Sequence, residues 1–214
     1  MILTVGNTKG GCGKTTIAFN LAVSQALKGK QVWMIDADRQ ATLTLAATIR
    51  RQSAIVPNIQ VDSLTEGSTL RQQVATHKAK FQEVVIDAGG RDSTALRAAL
   101  LVSDMVLVPF APRSFDVWAL TDMCQLIGEA RAVNPNLKAV AVLSMADNAG
   151  RDNQDAIDAL AGFPLLTYLP TPLCRRKSVA SAAGQGLSVL EFKPKDTKAI
   201  IEFQCLFNTI YISL

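Results

Sequence analysis

The run Lys9-Gly10-Gly11-Cys12-Gly13-Lys14-Thr15-Thr16 constrains the fold of this chain more than any other stretch. It follows the apolar segment Ile2 to Val5 and leads into a helical pattern from Ile17 to Leu27, so it reads as a strand-to-helix turn. Gly10, Gly11 and Gly13 let the backbone wrap closely around an anion, with its amide N–H groups turned inward. The helix behind adds the positive end of its dipole, about half a charge. Lys14 then reaches β- and γ-phosphates, and the Thr15 hydroxyl can ligate Mg²⁺. The spacing G-x-x-x-x-G-K-[ST] is not met by taking Gly6 as the first glycine, since six residues separate it from Gly13. The form K-G-G-x-G-K-[ST]-[ST] is met in full, so the cradle is expected to comprise Gly10, Gly11, Cys12, Gly13, Lys14, Thr15 and Thr16, with Lys9 an additional lysine.

Such a turn belongs at the carboxyl edge of an α/β sheet, and the rest of the chain has the matching rhythm. Apolar, β-rich runs at 2–7, 31–36, 84–87, 105–109, 140–145 and 165–169, with a weaker one at 59–61, predict strands. Helical patterns at 15–27, 41–51, 70–77, 93–102, 116–133, 152–161 and 197–212 alternate with them. The fold class expected is α/β: one P-loop NTPase domain over residues 1–214, its mostly parallel twisted sheet flanked by helices on both faces. With 214 residues and 49% hydrophobic composition the chain can bury an ample core. The four cysteines, Cys12, Cys124, Cys174 and Cys205, form no C-x-x-C pair, which argues against a zinc or iron–sulfur site and against a disulfide framework. No apolar run approaches the roughly 20 residues of a membrane span. A net charge of +4 permits an acidic partner without demanding one.

Two acidic segments close predicted strands. Val84-Val85-Ile86-Asp87-Ala88-Gly89-Gly90 is an apolar strand ending in a carboxylate, where Asp87 can hold Mg²⁺ through water while Thr15 holds it directly. Gly89 and Gly90 free the backbone to move when a γ-phosphate arrives. The other segment, Ile35-Asp36-Ala37-Asp38-Arg39-Gln40, carries two acids one residue apart; by themselves these also suit a helix start.

Together these motifs resemble the ParA/MinD group of deviant Walker ATPases over about residues 1–190. The resemblance implies ATP and Mg²⁺ as cofactors and a homodimer when ATP is bound, with Lys9 reaching the nucleotide of the partner subunit. It implies that Asp36 lies on the metal side and that Asp38 orients the attacking water, so Lys9, Lys14 and Asp38 are the catalytic candidates and Thr15, Asp36 and Asp87 the metal candidates. Arg39 stands where the group usually has proline, which leaves the carboxylates intact but adds a charge beside them. The segment Pro109 to Ala119 also looks like the group's, with Asp116 capping the long helix and Trp118 packing in the core or at a dimer face. Ser144-Met145-Ala146 occupies the place where members often carry asparagine for the base, so Met145 and backbone near Pro170, Thr171 and Pro172 are the expected base contacts. No Asn/Thr-Lys-x-Asp motif is visible, which favours adenine over guanine.

The branch is read from what surrounds the motifs. The final apolar stretch Phe203 to Ile212 has no Lys or Arg, so it is expected to pack rather than to lie on a membrane. Just before it, residues 171–198 carry Arg175, Arg176, Lys177, Lys193, Lys195 and Lys198 against Glu191 and Asp196. In the partition proteins of the group, basic residues toward the C-terminal third bind DNA without sequence preference, which makes Arg175, Arg176 and Lys177 the DNA-binding candidates. The implied protein is a small ParA-type partition ATPase, cytoplasmic and nucleoid-associated. It would be released from DNA when a ParB-like or other small activator stimulates hydrolysis, with no membrane partner. A MinD-like membrane-positioned ATPase and a metabolic ATP-dependent ligase sharing the cradle are the alternatives.

Overall fold

The computed structural model describes residues 1–147 and 151–213, and the side chains of all of these except residues 114–118 and Ser213. The elements run β1 (Ile2–Val5), α1 (Lys14–Leu27), β2 (Val32–Ala37), α2 (Thr42–Gln52), β3 (Gln60–Ser63), α3 (Gly67–His77), β4 (Glu83–Ala88) and α4 (Thr94–Val102). They continue with β5 (Met105–Phe110), α5 (Ser114–Arg131), β6 (Lys138–Ala146), α6 (Asp152–Ala159), β7 (Thr167–Cys174), α7 (Lys177–Ala183) and α8 (Thr197–Asn208). All strand pairs are parallel, in the order β3-β2-β4-β1-β5-β6-β7.

The continuous apolar runs of β1, β2, β4 and β5 have no exposed residue because helices cover both faces. On one face α1, α2 and α8 bury Ile17, Leu21, Leu43, Phe203 and Phe207 against Leu3, Val5, Met34, Val85 and Leu107. On the other, α4, α5 and α6 pack Leu96, Leu100, Met123, Ile127 and Ala156 onto Val106, Val108 and Leu143, while α3 adds Leu70 and Val74 beside Trp33 and Ile86. The β1 strand lies centrally between β4 and β5, and the chain leaves its carboxyl end to form the glycine-rich turn. That is the crevice position where α/β sheets bind ligands.

Every strand expected from the sequence is present, together with the expected helices. The α7 helix was not expected: Lys177-Ser178-Val179-Ala180-Ser181-Ala182-Ala183 has one large apolar residue and buries only Ala182 fully, so no helical stripe marks it. The β7 strand is longer than its apolar core and takes in Pro170, Thr171 and Pro172. Two prolines are tolerated there because β7 is an edge strand, where one row of N–H groups has no ladder partner to lose. The expected roles of Asp116 and Trp118 fall outside the described side chains. No helix among the described residues is long and apolar enough to cross a membrane.

Candidate nucleotide site

The glycine-rich loop is shaped by its own sequence. Gly11 and Gly13 have φ of 82° and 80°, in the left-handed region that side chains disfavour, and Gly13 serves as the N-cap of α1. The Asn7 side chain fixes the loop's start, its Nδ2 donating to the Pro109 carbonyl at 2.8 Å and its Oδ1 accepting from the Lys9 N–H at 3.1 Å. Lys14 is buried, and its Nζ donates to the Lys9 carbonyl at 2.7 Å, so the ammonium lies across the loop at the positive end of α1. Ser144 has an anchoring role that sequence reasoning missed. Its buried hydroxyl donates to the Cys12 carbonyl at 2.7 Å and ties the loop to β6. The only signal was a small hydroxyl residue closing an apolar strand.

Asp36 and Asp87 are register partners on adjacent strands, both buried at the carboxyl edge of the sheet. Their surroundings differ. Asp36 Oδ2 accepts from the Thr44 N–H and the Thr44 hydroxyl, both at 2.8 Å, and its Oδ1 accepts from the Asp38 N–H at 3.2 Å. Its carboxylate therefore anchors the first turn of α2, accepting three hydrogen bonds as acids do at a helix N-terminus. Neither carboxylate oxygen of Asp87 receives a well-formed hydrogen bond, although the Thr15 hydroxyl lies beside it. Burial pushes its pKa up from 3.8 to about 7, and the nearby Asp36 and Asp38 charges add to the rise, while Thr15 and Lys14 oppose it. A buried carboxylate in these surroundings, with the Thr15 hydroxyl beside it, fits a hydrated Mg²⁺. Among the described residues no group of three His, Cys, Asp or Glu side chains could hold a metal by itself. Such an ion would therefore lean on ligand phosphates, as Mg²⁺ does in phosphoryl-transfer sites.

Asp38 is half-buried, with Oδ1 accepting from the Gln40 N–H at 3.0 Å. Its carboxyl group lies directly over Gly89, where a Cβ would stand 3.2 Å from the Asp38 Cγ. At Gly90 a Cβ would stand 2.9 Å from the Gly10 N and Cα and 3.1 Å from the Lys14 Nζ. Gly90 is thus needed for a close approach between the segment after β4 and the phosphate loop, a more specific demand than the backbone freedom expected from sequence.

A cavity of about 590 Å³ opens beside the loop. One wall is Lys9, Gly10, Gly11, Gly13 and Thr16, and the other is Ser144, Met145, Leu173, Cys174, Arg175, Arg176 and Lys177, with Val179, Ala180 and Phe203 lining it further. Met145, the expected base contact, lines this cavity. It is a non-glycine residue at φ 52°, where the β6–β7 register shifts, and its Cε stands 3.4 Å from where a Gly13 Cβ would be. Pro170, Thr171 and Pro172 do not line the cavity. The strand carries the chain past them before it reaches the wall at Leu173.

The three basic candidates divide as well. Arg175 and Lys177 are exposed at the cavity mouth, whereas Arg176 is held in an ion pair with Glu202 of α8. Its Nε donates to both Glu202 oxygens at 3.2 Å, and Glu202 also accepts from the Cys174 N–H at 3.1 Å. Arg176 therefore fastens the cavity wall to α8 and is not a free cation. Lys9 is exposed on the loop.

Known proteins share this fold. Residues 3–189 match the family model described as the CobQ/CobB/MinD/ParA nucleotide binding domain. The chain is 31% identical over 214 residues to the maintenance of carboxysome distribution protein A of Halothiobacillus neapolitanus, covering 97% of this chain and 95% of that one. Among solved structures it is similar to apo McdA of Cyanothece, with TM-score 0.79 and 17% identity over 98% of each chain. It is equally similar to a plasmid partition protein of Borrelia burgdorferi bound to AMPPNP, with TM-score 0.79 and 19% identity over 100% of this chain and 99% of that one. With the glycine-rich loop, the paired strand-end carboxylates and the parallel sheet in place, the chain belongs to the CobQ/CobB/MinD/ParA family of nucleotide-binding domains.

Proposed function

We propose that residues 1–214 act as one Mg-ATP-dependent ATPase of the ParA type that positions a large cellular cargo on nucleoid DNA. The observation that carries this reading is the buried Asp87 carboxylate, without a well-formed hydrogen bond, beside Thr15 and Lys14 under a glycine-rich loop. In it, the loop amides and Lys14 bind the β- and γ-phosphates, Thr15 and Asp87 hold the cation, and Met145 and Leu173 flank the base. The bound Mg²⁺ supplies charge neutralisation at the γ-phosphate. Asp38 has one oxygen committed to Gln40, and the other orients water toward the γ-phosphate. Lys9, exposed on the loop, offsets triphosphate charge across a dimer interface.

Hydrolysis unaided by a partner is slow, roughly 10⁻⁴ to 10⁻² s⁻¹ as in comparable switch NTPases, which leaves a small activator protein to trigger release. Arg175 and Lys177 supply sequence-independent phosphate contacts to DNA, with Arg176 positioning them through Glu202. The cytoplasm at the nucleoid surface is the corresponding location. The relative named for carboxysome distribution makes a protein-bodied cargo as suitable as a plasmid.

The test uses Asp38→Ala. The variant is expected to bind ATP with wild-type affinity by calorimetry, to lose turnover, and to accumulate as an ATP-bound dimer in light scattering. Wild-type hydrolysis by this variant, or a monomer at saturating ATP, contradicts the assignment.

A further inference from the structure

The turn between β2 and α2 carries Asp38 and closes mainly on itself. The Ala41 N–H donates to the Asp38 carbonyl at 3.0 Å, and the Gln40 N–H donates to Asp38 Oδ1 at 3.0 Å. Ala41, the N-cap of α2, sits at φ 52°, in the left-handed region that a Cβ disfavours. Arg39 and Gln40 are exposed at the tip. Among the described residues, one side-chain hydrogen bond leads from this turn to another element: Arg39 Nη2 donates to Glu66 Oε1 at 3.3 Å.

The fold brings Glu66 within reach because β3 runs beside β2, and just past their ladder the Leu64 N–H donates to the Asp36 carbonyl at 2.9 Å. Glu66 is also the N-cap of α3, so the residue after it has a fixed place. That residue, Gly67, is buried against the first turn of α4, where a Cβ would stand 2.3 Å from the Thr94 carbonyl oxygen. Only glycine permits such an approach. The α4 helix in turn starts at the Ser93 cap, whose hydroxyl accepts from the Leu96 N–H at 3.1 Å, and the chain before that cap is Gly89 to Asp92. Gly89 closes the ring, with the Asp38 carboxyl group directly over it.

We propose that Arg39 is a positioning residue for ATP hydrolysis: through Glu66 it ties the Asp38 turn to the α3–α4 junction and so holds the Asp38 carboxylate over Gly89. The inference rests on the water-orienting role proposed for Asp38. Magnitudes favour a local role over a stabilising one. With side chains 84% and 60% exposed, a pair of this kind shifts an equilibrium by a factor of about 1.4 to 5. That is small against global stability, but it decides how often a turn tip held otherwise by its own backbone is in place, and a reacting group misplaced by about 1 Å loses roughly 100-fold in rate. The contact uses one nitrogen and one oxygen, so it needs a cation at position 39 rather than the guanidinium fork.

The experiment compares hydrolysis rates at saturating Mg-ATP, with ATP affinity read separately by calorimetry. Arg39→Ala and Glu66→Ala are each expected to slow hydrolysis about two- to fivefold, with affinity and melting temperature unchanged. The double variant should be no slower than either single, because both substitutions remove the same contact. Arg39→Lys should keep at least half of the wild-type rate. Raising the ionic strength from about 0.05 to 0.5 M should shrink the ratio of wild-type to Arg39→Ala rates toward one, since an exposed pair is screened. The proposal is overturned if either single variant turns over like wild type, if the two losses multiply in the double variant, or if ATP affinity falls by the same factor as the rate. Asp38→Ala, run alongside, separates this inference from the reading beneath it. If that variant hydrolyses like wild type, the water-orienting role itself falls. If it is inactive while the Arg39 and Glu66 variants are fully active, only the positioning role falls.

Discussion

Replacing Asp87 by asparagine separates the stability of this protein from its function. Burial raises the folded-state pKa of Asp87 from 3.8 to about 7, so the folded chain holds a proton there that the unfolded chain has released. A carboxylate shifted upward costs stability as pH rises through that interval, and the full cost is present above the folded pKa. Roughly three units at 1.36 kcal/mol each make about 4 kcal/mol. Asparagine does not ionise, but its buried amide would lack partners, which returns about 1–2 kcal/mol of the gain. The net is about 2–3 kcal/mol, or roughly 5–10 °C in melting temperature for a domain of this size. Calorimetric scans in chelator should therefore find Asp87→Asn more stable than wild type at about pH 8. Near pH 4.5, where the wild-type carboxyl is protonated, the advantage should vanish. Added Mg-ATP should stabilise wild type and do much less for the variant, because the cation loses its charged partner. An equal offset at both pH values, or none at either, would refute the argument that an uncompensated buried charge sits at this position.

Lys9→Ala should retain ATP binding by calorimetry but lose ATP-dependent dimerisation in light scattering, because its exposed ammonium acts across the interface. Gly90→Ala should lose most ATP affinity while staying folded, since the new Cβ would meet Gly10 backbone at 2.9 Å and crowd Lys14; wild-type binding would mean the two segments can separate freely. Arg50 is buried, paired with Glu191 through two contacts at 2.8 Å, and also donates to the Pro57 and Gly186 carbonyls at 3.1 and 3.2 Å. Arg50→Ala leaves Glu191 uncompensated and should lower stability by about 3–5 kcal/mol, read as a fall of roughly 6–20 °C in a thermal melt with the fold otherwise unchanged.

The local code determined the frame. Strand-period runs such as Val84 to Ile86 and the helix-period stripe from Ile17 to Leu27 specify their elements with short-range information, and the glycine-rich loop dictates its own left-handed turns at Gly11 and Gly13. Because βα repetition permits few parallel arrangements, the architecture was legible before any contact was known. What each acid does was not. Asp36 and Asp87 both end buried strands and read alike, yet Thr44, eight residues beyond Asp36, satisfies one while nothing donates well to the other. The same holds for Arg176, whose charge is consumed by Glu202, and for Ser144, whose hydroxyl finds Cys12 across 132 positions. Periodicity is a property of a segment, so the sequence carries it outright. The state of a charge depends on which groups the fold brings within a few ångströms, and only the tertiary structure decides that.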